Sequence, residues 1–156
     1  MKVKDLMKKN VFCVAANQTL NDAAHLMWEH NCGCAPVLDA ESHVTGMVTD
    51  RDIAMAAYFE GKCLAEIPIS TTQSRKLVAC KPEDDLTDVQ LMMQSHQVHR
   101  IPVVGENSEP VGIISLNDIA MAYKSGNKSV KAKDVSDTLS AICTTMSNVR
   151  AIQAVA

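Results

Sequence analysis

The sequence predicts a mixed α/β (α+β) fold: two copies of one β-α-β-β-α unit packed about an internal pseudo-twofold axis, with a short helix after them. Three observations predict it. GMVTDRD at 46–52 returns as GIISLND at 112–118. Sliding the chain by 66 positions aligns it with itself, without a gap, from Val14/Cys80 to Ala56/Ala122. In both copies the apolar residues switch between helical and strand spacing in the same order.

The alignment pairs Leu20 with Leu86, Asp22 with Asp88, Met27 with Met93 and Pro36-Val37 with Pro102-Val103. KNVFCVA and SRKLVAC supply the leading strands. Thr19 and Asp85 carry cap oxygens and are followed three residues later by Asp22 and Asp88, the signature of a helix start. Leu20, Ala23, Ala24 and Met27 then form one apolar face. Leu86, Val89 and Met93 repeat it, with Gln90 interrupting. Strands follow at 35–38 and 101–104, then at 44–49 and 111–115. Second helices begin near Asp50 and Asn117. The units are expected at 1–62 and 75–124, with a connector at 63–74 outside the symmetry. A tail at 125–156 holds a docking helix, spaced by Val135, Leu139 and Ile142.

Composition narrows the function. The chain has 156 residues, 47% hydrophobic but only 3% aromatic, so its core is aliphatic, with nine Met as filler. Met27, Met55, Met92, Met93 and Met121 are expected in that core, and Trp28 at an interface or rim. A net charge of −3 argues against a nucleic-acid surface built on bulk positive charge. No apolar run is long enough to span a membrane, and MKVKDLMKKN lacks a signal's apolar segment, so a cytoplasmic location is expected. The six cysteines are expected to be reduced and mostly buried.

The repeated motif sits where a strand meets a helix. Unsatisfied N–H groups and the helix dipole at such a junction favour an anion. The hydroxyl of Thr49 or Ser115 adds a donor for phosphate, and Asp52 or Asp118 can accept from a ribose diol. Gly46 and Gly112 allow close backbone approach or an unusual dihedral. Hydroxyl followed by Asp is also ordinary helix capping. Two copies in register, each after a Pro-Val strand, favour a ligand site.

Together VKDLM, APV, IPV, GMVTDRD, GIISLND and the ungapped duplication resemble a tandem pair of CBS domains, a Bateman module, over residues 3 to 124. The resemblance implies clefts between the repeats for adenosine-containing ligands: AMP, ADP or ATP, and in some members S-adenosylmethionine or NAD. It carries phosphate and ribose contacts to Thr49 and Asp52 in a first cleft, and to Ser115 and Asp118 in a second. Ala35, Pro36, Ile101 and Pro102 would line base or sugar. It also implies a disc-like homodimer formed through apolar motif helices at 52–59 and 118–123, and a regulated protein that the sequence does not identify.

The copies differ where function should show. His99 and Arg100 precede the second Pro-Val strand, whereas Gly33 and Cys34 precede the first, so the second cleft is expected to be better equipped for phosphate. Arg51 either reaches a phosphate across the axis or sits in solvent. His30, Cys32 and Cys34 form an H-x-C-x-C pattern that admits a metal or redox reading, but it lacks a fourth ligand. No catalytic constellation, Walker loop or Rossmann glycine pattern is present, so an enzyme, a required cofactor and a bound metal are not expected. The main reading is a nucleotide-binding regulatory module. The alternatives are a dimerisation module with degenerate clefts and a metal- or redox-responsive protein.

Overall fold

The computed structural model describes residues 1–74 and 76–144. Repeat 1 holds β1 (Val14–Ala15), α1 (Leu20–Glu29), β2 (Cys34–Leu38), β3 (Val44–Thr49) and α2 (Asp50–Glu60). Repeat 2 holds α3 (Leu86–His96), β4 (Arg100–Val104), β5 (Pro110–Ser115) and α4 (Leu116–Lys124), followed by α5 (Ala132–Cys143). The expected β-α-β-β-α order is present, but the leading strands are short. β1 pairs parallel to β2 over two residues, and its counterpart is a single Cys80–Val103 bridge. Phe12 and Val78, further upstream, line clefts instead.

The antiparallel hairpins β2–β3 and β4–β5 share one register. Cys34 faces Thr49 and Arg100 faces Ser115, and each hairpin is irregular at the same place, Val37/Leu38 and Val103/Val104. Pro102 lacks an N–H but its carbonyl accepts the Cys80 N–H at 3.1 Å. Alternation along the strands turns Ala35, Val37 and Val48 into one aliphatic core, and Ile101, Val103 and Ile114 into the other.

The connector belongs to the symmetry rather than lying outside it. Residues 1–8 pack on repeat 2, and residues 67–74 pack on repeat 1 in the same way. Leu86 N–H donates to the Met1 carbonyl at 3.0 Å, and Leu20 N–H to the Ile67 carbonyl at 2.9 Å. Lys8 N–H donates to Ile113 at 2.9 Å, as Ser74 N–H does to Met47. Val3 is fully buried in the second core, and Ile67 and Ile69 in the first. The sequence hides this equivalence because the paired residues are rarely identical. It also explains Gly46 and Gly112, neither of which has a positive φ. A Cβ at Gly112 would sit 2.6 Å from Met7 Sδ, and one at Gly46 2.9 Å from the Ser74 carbonyl. The close approach is by the chain's own segments, not by a ligand.

Helix α5 lies on α3 and α4, burying Thr138 and Ile142 with Val135 half-buried; Leu139, expected on the docking face, is 48% exposed. Gln94 Nε2 donates to Thr138 Oγ1 at 2.9 Å, and Gln97 Nε2 to the Thr144 carbonyl at 2.8 Å. Positions 145–156 of the expected tail lie outside the described residues. Met27 and Met93 are core residues, whereas Met55 and Met121 are exposed, which corrects the expectation of filler. All five aromatics, Phe12, Trp28, Tyr58, Phe59 and Tyr123, are exposed. All six cysteines are free, but only Cys34 and Cys80 are buried. No helix among the described residues is long and apolar enough to cross a membrane.

Candidate functional site

Each motif forms a reciprocal cap. Thr49 Oγ1 donates to Asp52 Oδ2 at 2.7 Å, and Asp52 Oδ2 also accepts the Thr49 N–H at 2.9 Å. Asp52 N–H donates back to Thr49 Oγ1 at 3.1 Å. Ser115 and Asp118 repeat the arrangement. The first amides of α2 are satisfied within the protein: Asp50 N–H by the Gly33 carbonyl and Arg51 N–H by Asp50 Oδ1. The expected anion site on unsatisfied helix amides is therefore not present at α2. The motif holds the helix start, and side chains around it must supply any anion contact.

Two clefts flank the axis, and each draws on both repeats. The first, about 520 Å³, brings Thr49, Arg51 and Asp52 of repeat 1 together with Lys76, His99 and Arg100. Its volume falls in the range of small-molecule sites, roughly 300–1,000 Å³. The second, about 270 Å³, combines Ser115, Asn117 and Asp118 with Lys8, Phe12 and His30. Cys34 and Arg100, partners at the offset of 66, line both clefts and mark the axis between them.

The basic pair at the start of β4 is split between the clefts, with Arg100 on both and His99 on one. His99 lines the cleft of the first motif, not that of its own repeat. The His99 carbonyl accepts the Leu116 N–H at 3.0 Å on its own repeat's side, while the residue lines the other cleft. Arg51 is exposed and lines the cleft of its own motif rather than the one across the axis. Ala35 and Ile101 are fully buried and line neither cleft, because strand alternation turns them into the cores. Pro36 lines the second cleft; Pro102 lines neither. Lys8 lines the second cleft and Ser74, Lys76 and Ile142 the first, all outside the residues the sequence pattern points to. Lys76 and Val78 alternate within SRKLVAC, and that spacing was the available signal.

The carboxylates differ. Asp118 is nearly buried, and its Oδ1 pairs with Lys8 Nζ at 3.2 Å. Lys8 corresponds to Ser74, whose hydroxyl accepts the Met47 N–H, so among the described residues Asp52 has no ion-pair partner. Asp52 Oδ1 thus keeps acceptor capacity for a diol, beside Arg51, Lys76 and Arg100. At the axis, burial raises the Cys34 thiol pKa and the Arg100 guanidinium opposes that shift.

The H-x-C-x-C residues reach the second cleft, but their donor atoms do not form a ligand cluster. His30 instead stacks on Phe12, with ring centroids 3.5 Å apart. Among the described residues, the gathered donors are those of Asp39, Glu41 and His43 on the β2–β3 turn.

The CBS domain profile matches twice, over residues 3–58 and 66–125. A CBS domain-containing protein of Bacillus subtilis, YhcV, is 38% identical over 130 residues, covering 83% of this chain and 91% of its own. Hypoxic response protein 1 of Mycobacterium tuberculosis is 31% identical, covering 75% of this chain and 81% of its own. A crystal structure of Hypoxic Response Protein I holds two coordinated zinc ions; it matches with a TM-score of 0.71 at 30% identity, over 78% of this chain and 98% of that one. The CBS domain pair of protein MJ0100, in complex with 5′-methylthioadenosine and S-adenosylmethionine, matches with a TM-score of 0.73 over 81% of this chain and 98% of that one. Its identity of 24% speaks for the fold alone. With one CBS domain in each half, the chain belongs to the CBS domain family.

Proposed function

We propose that this protein is a non-catalytic regulatory module that binds an adenosine-containing ligand in its first cleft, with preference for a phosphorylated one such as AMP, ADP or ATP, and signals to a partner protein. One observation carries the reading. The first cleft gathers Arg51, Lys76, His99 and Arg100 around an Asp52 that has no ion-pair partner among the described residues. Three fixed cations and a histidine suit phosphate oxygens, and the guanidinium forks suit them best. Asp52 suits a ribose diol, while Met47, Val78, Val98 and Ile142 offer apolar area to a base. The adenosyl ligands of the MJ0100 pair support the same class. The second cleft, smaller and with its carboxylate paired to Lys8, is the weaker site.

We place a homodimer interface on the outer faces of α2 and α4, where Met55, Tyr58, Phe59, Met121 and Tyr123 are exposed. Light scattering should return a dimeric mass at micromolar concentration.

Calorimetric titration of AMP and adenosine against wild type and Arg100→Ala tests the ligand reading. The variant should lose about 1.5–3 kcal/mol of AMP affinity, the worth of a charged hydrogen bond, with adenosine almost unchanged. Equal losses for both ligands would make Arg100 architectural, and no binding of either ligand would end the nucleotide reading.

A further inference from the structure

The two helix pairs are built alike but covered differently. On repeat 2, α5 fills the groove between α3 and α4, burying Thr138 and Ile142. On repeat 1, the groove between α1 and α2 is open, with a volume of about 340 Å³. Its lining includes Met27, Trp28, Asn31, Cys32, Asp50 and Ile53. At the offset of 66 these correspond to Met93, Gln94, Gln97, Val98, Leu116 and Ile119. Gln94 and Gln97 are the residues that hydrogen-bond α5. The open groove is the counterpart of the seat that α5 occupies.

We propose that the α1–α2 groove is the docking site for an amphipathic helix of a partner protein. The occupied seat says what such a groove takes, and the substitutions say how the occupant differs from α5. Trp28, at 87% the most exposed of the large hydrophobic residues, replaces Gln94. The donor to Thr138 is replaced by an indole, so the occupant presents an aliphatic residue where α5 presents Thr138. Asp50 replaces Leu116, and no ion pair holds its carboxylate among the described residues. The occupant therefore carries a Lys or Arg opposite it.

Asn31 keeps the seat's polar end. Like Gln97 it ends its helix in the left-handed region, with φ of 48° against 52°. Gln97 binds the carbonyls of Ala141 and Thr144, at the end of α5. Asn31 is placed to meet the last carbonyls of the occupant, which fixes the helix's direction. A cation in that last turn also complements its dipole.

A second copy's α5 is a poor occupant. Its Thr138 already accepts from Gln94 within its own chain, and it would set a hydroxyl against Trp28. The exposed face of α2 bearing Met55, Tyr58 and Phe59 lies opposite Ile53 around the helix, away from the residue that lines the groove. The proposal rests on the regulatory reading only for the expectation of a partner. Its test uses no nucleotide, so the two fail separately.

Trp28 is the single tryptophan and so reports its own burial. The probe is a synthetic peptide of residues 130–144 carrying Thr138→Leu and Cys143→Lys. Added to the whole protein, it should shift Trp28 emission to the blue in a saturable way. The unmodified peptide should bind about tenfold more weakly, the equivalent of 1.4 kcal/mol. Peptide anisotropy should show Trp28→Gln and Asp50→Asn each weakening the modified peptide. A blue shift on raising protein concentration alone would assign the groove to a second copy and overturn the proposal. So would unchanged emission and anisotropy up to ~1 mM peptide, the weak end of specific binding.

Discussion

The first and second clefts are formed on one backbone pattern and end with different chemistry. Both begin from a hydroxyl–Asp cap at a strand-to-helix junction. In the first cleft, Ser74 leaves Asp52 without an ion pair among the described residues, and Lys76 and His99 add to Arg51 and Arg100. In the second, Lys8 holds Asp118, and Asn10 stands where Lys76 does. The motif makes a well-formed helix start in both repeats. What separates the sites lies outside it, on the leading segments and across the axis. A repeated signature therefore marks two positions of similar shape, and the neighbours decide which of them suits an anion.

The strongest way to break the comparison is to alter the cores beneath the clefts. Ile101 corresponds to Ala35, and both are fully buried. Ile101→Ala gives repeat 2 the residue of repeat 1 but not its surroundings. It should cost about 2–5 kcal/mol, the usual range for opening such a cavity. Urea denaturation measures it. A loss under about 1 kcal/mol would mean that the β4–β5 core collapses around the smaller residue.

How far these differences were legible follows from the kinds of contact involved. The hairpins, the helix order and the motif caps could be read because they depend on local spacing and on identities at one offset. The swapped leading segments could not, because Val3/Ile69 and Lys8/Ser74 share position but not identity. His99 was identified as a candidate but assigned to the wrong cleft. The sequence shows that a residue precedes a strand, not which side of a symmetry axis its side chain reaches. Ala35 and Ile101 were drawn into the site by the family pattern around the proline, against an alternation that buries them. Thr138 was overlooked in α5 because an apolar spacing rule passes over a buried threonine whose hydroxyl is bonded to Asp134.

A second, smaller effect compares Cys80 with Val14, partners in the two cores at 3% and 2% exposure. Burial pushes the Cys80 thiol from 9.0 up to about 12, and Asp84 adds to the rise. Cys13 is pushed up to about 11 by burial. The unfolded chain releases these protons near pH 9, while the folded chain keeps them. Between pH 9 and the folded values the unfolded state binds fewer protons, so stability falls as pH rises. Each thiol contributes at most about 1.4 kcal/mol per pH unit. Cys80→Val, which copies repeat 1, should flatten the decline between pH 9 and 11 relative to wild type. Parallel curves for the two proteins in urea titrations across that range would show that Cys80 ionises freely in the folded state.

The mildest change makes the clefts exchange character. Lys8 sits 70% exposed with its ammonium on Asp118, and such a pair contributes about 0.2–1 kcal/mol. Lys8→Ser gives the second cleft the residue of the first, and should release Asp118 Oδ1 for a ribose. Adenosine affinity there should rise by up to about fivefold, the equivalent of that energy. Ser74→Lys does the reverse: it places an ammonium near Asp52 and removes the hydroxyl that receives the Met47 N–H at 3.0 Å. It should weaken adenosine in the first cleft, while AMP, drawn also by Arg51 and Arg100, loses less. Calorimetry with both ligands on both variants separates the sites by stoichiometry as well as affinity. If Lys8→Ser leaves adenosine binding unchanged, the ion pair does not gate the second cleft. Its smaller volume, narrowed by the stacked Phe12 and His30, would then account for the difference between the repeats.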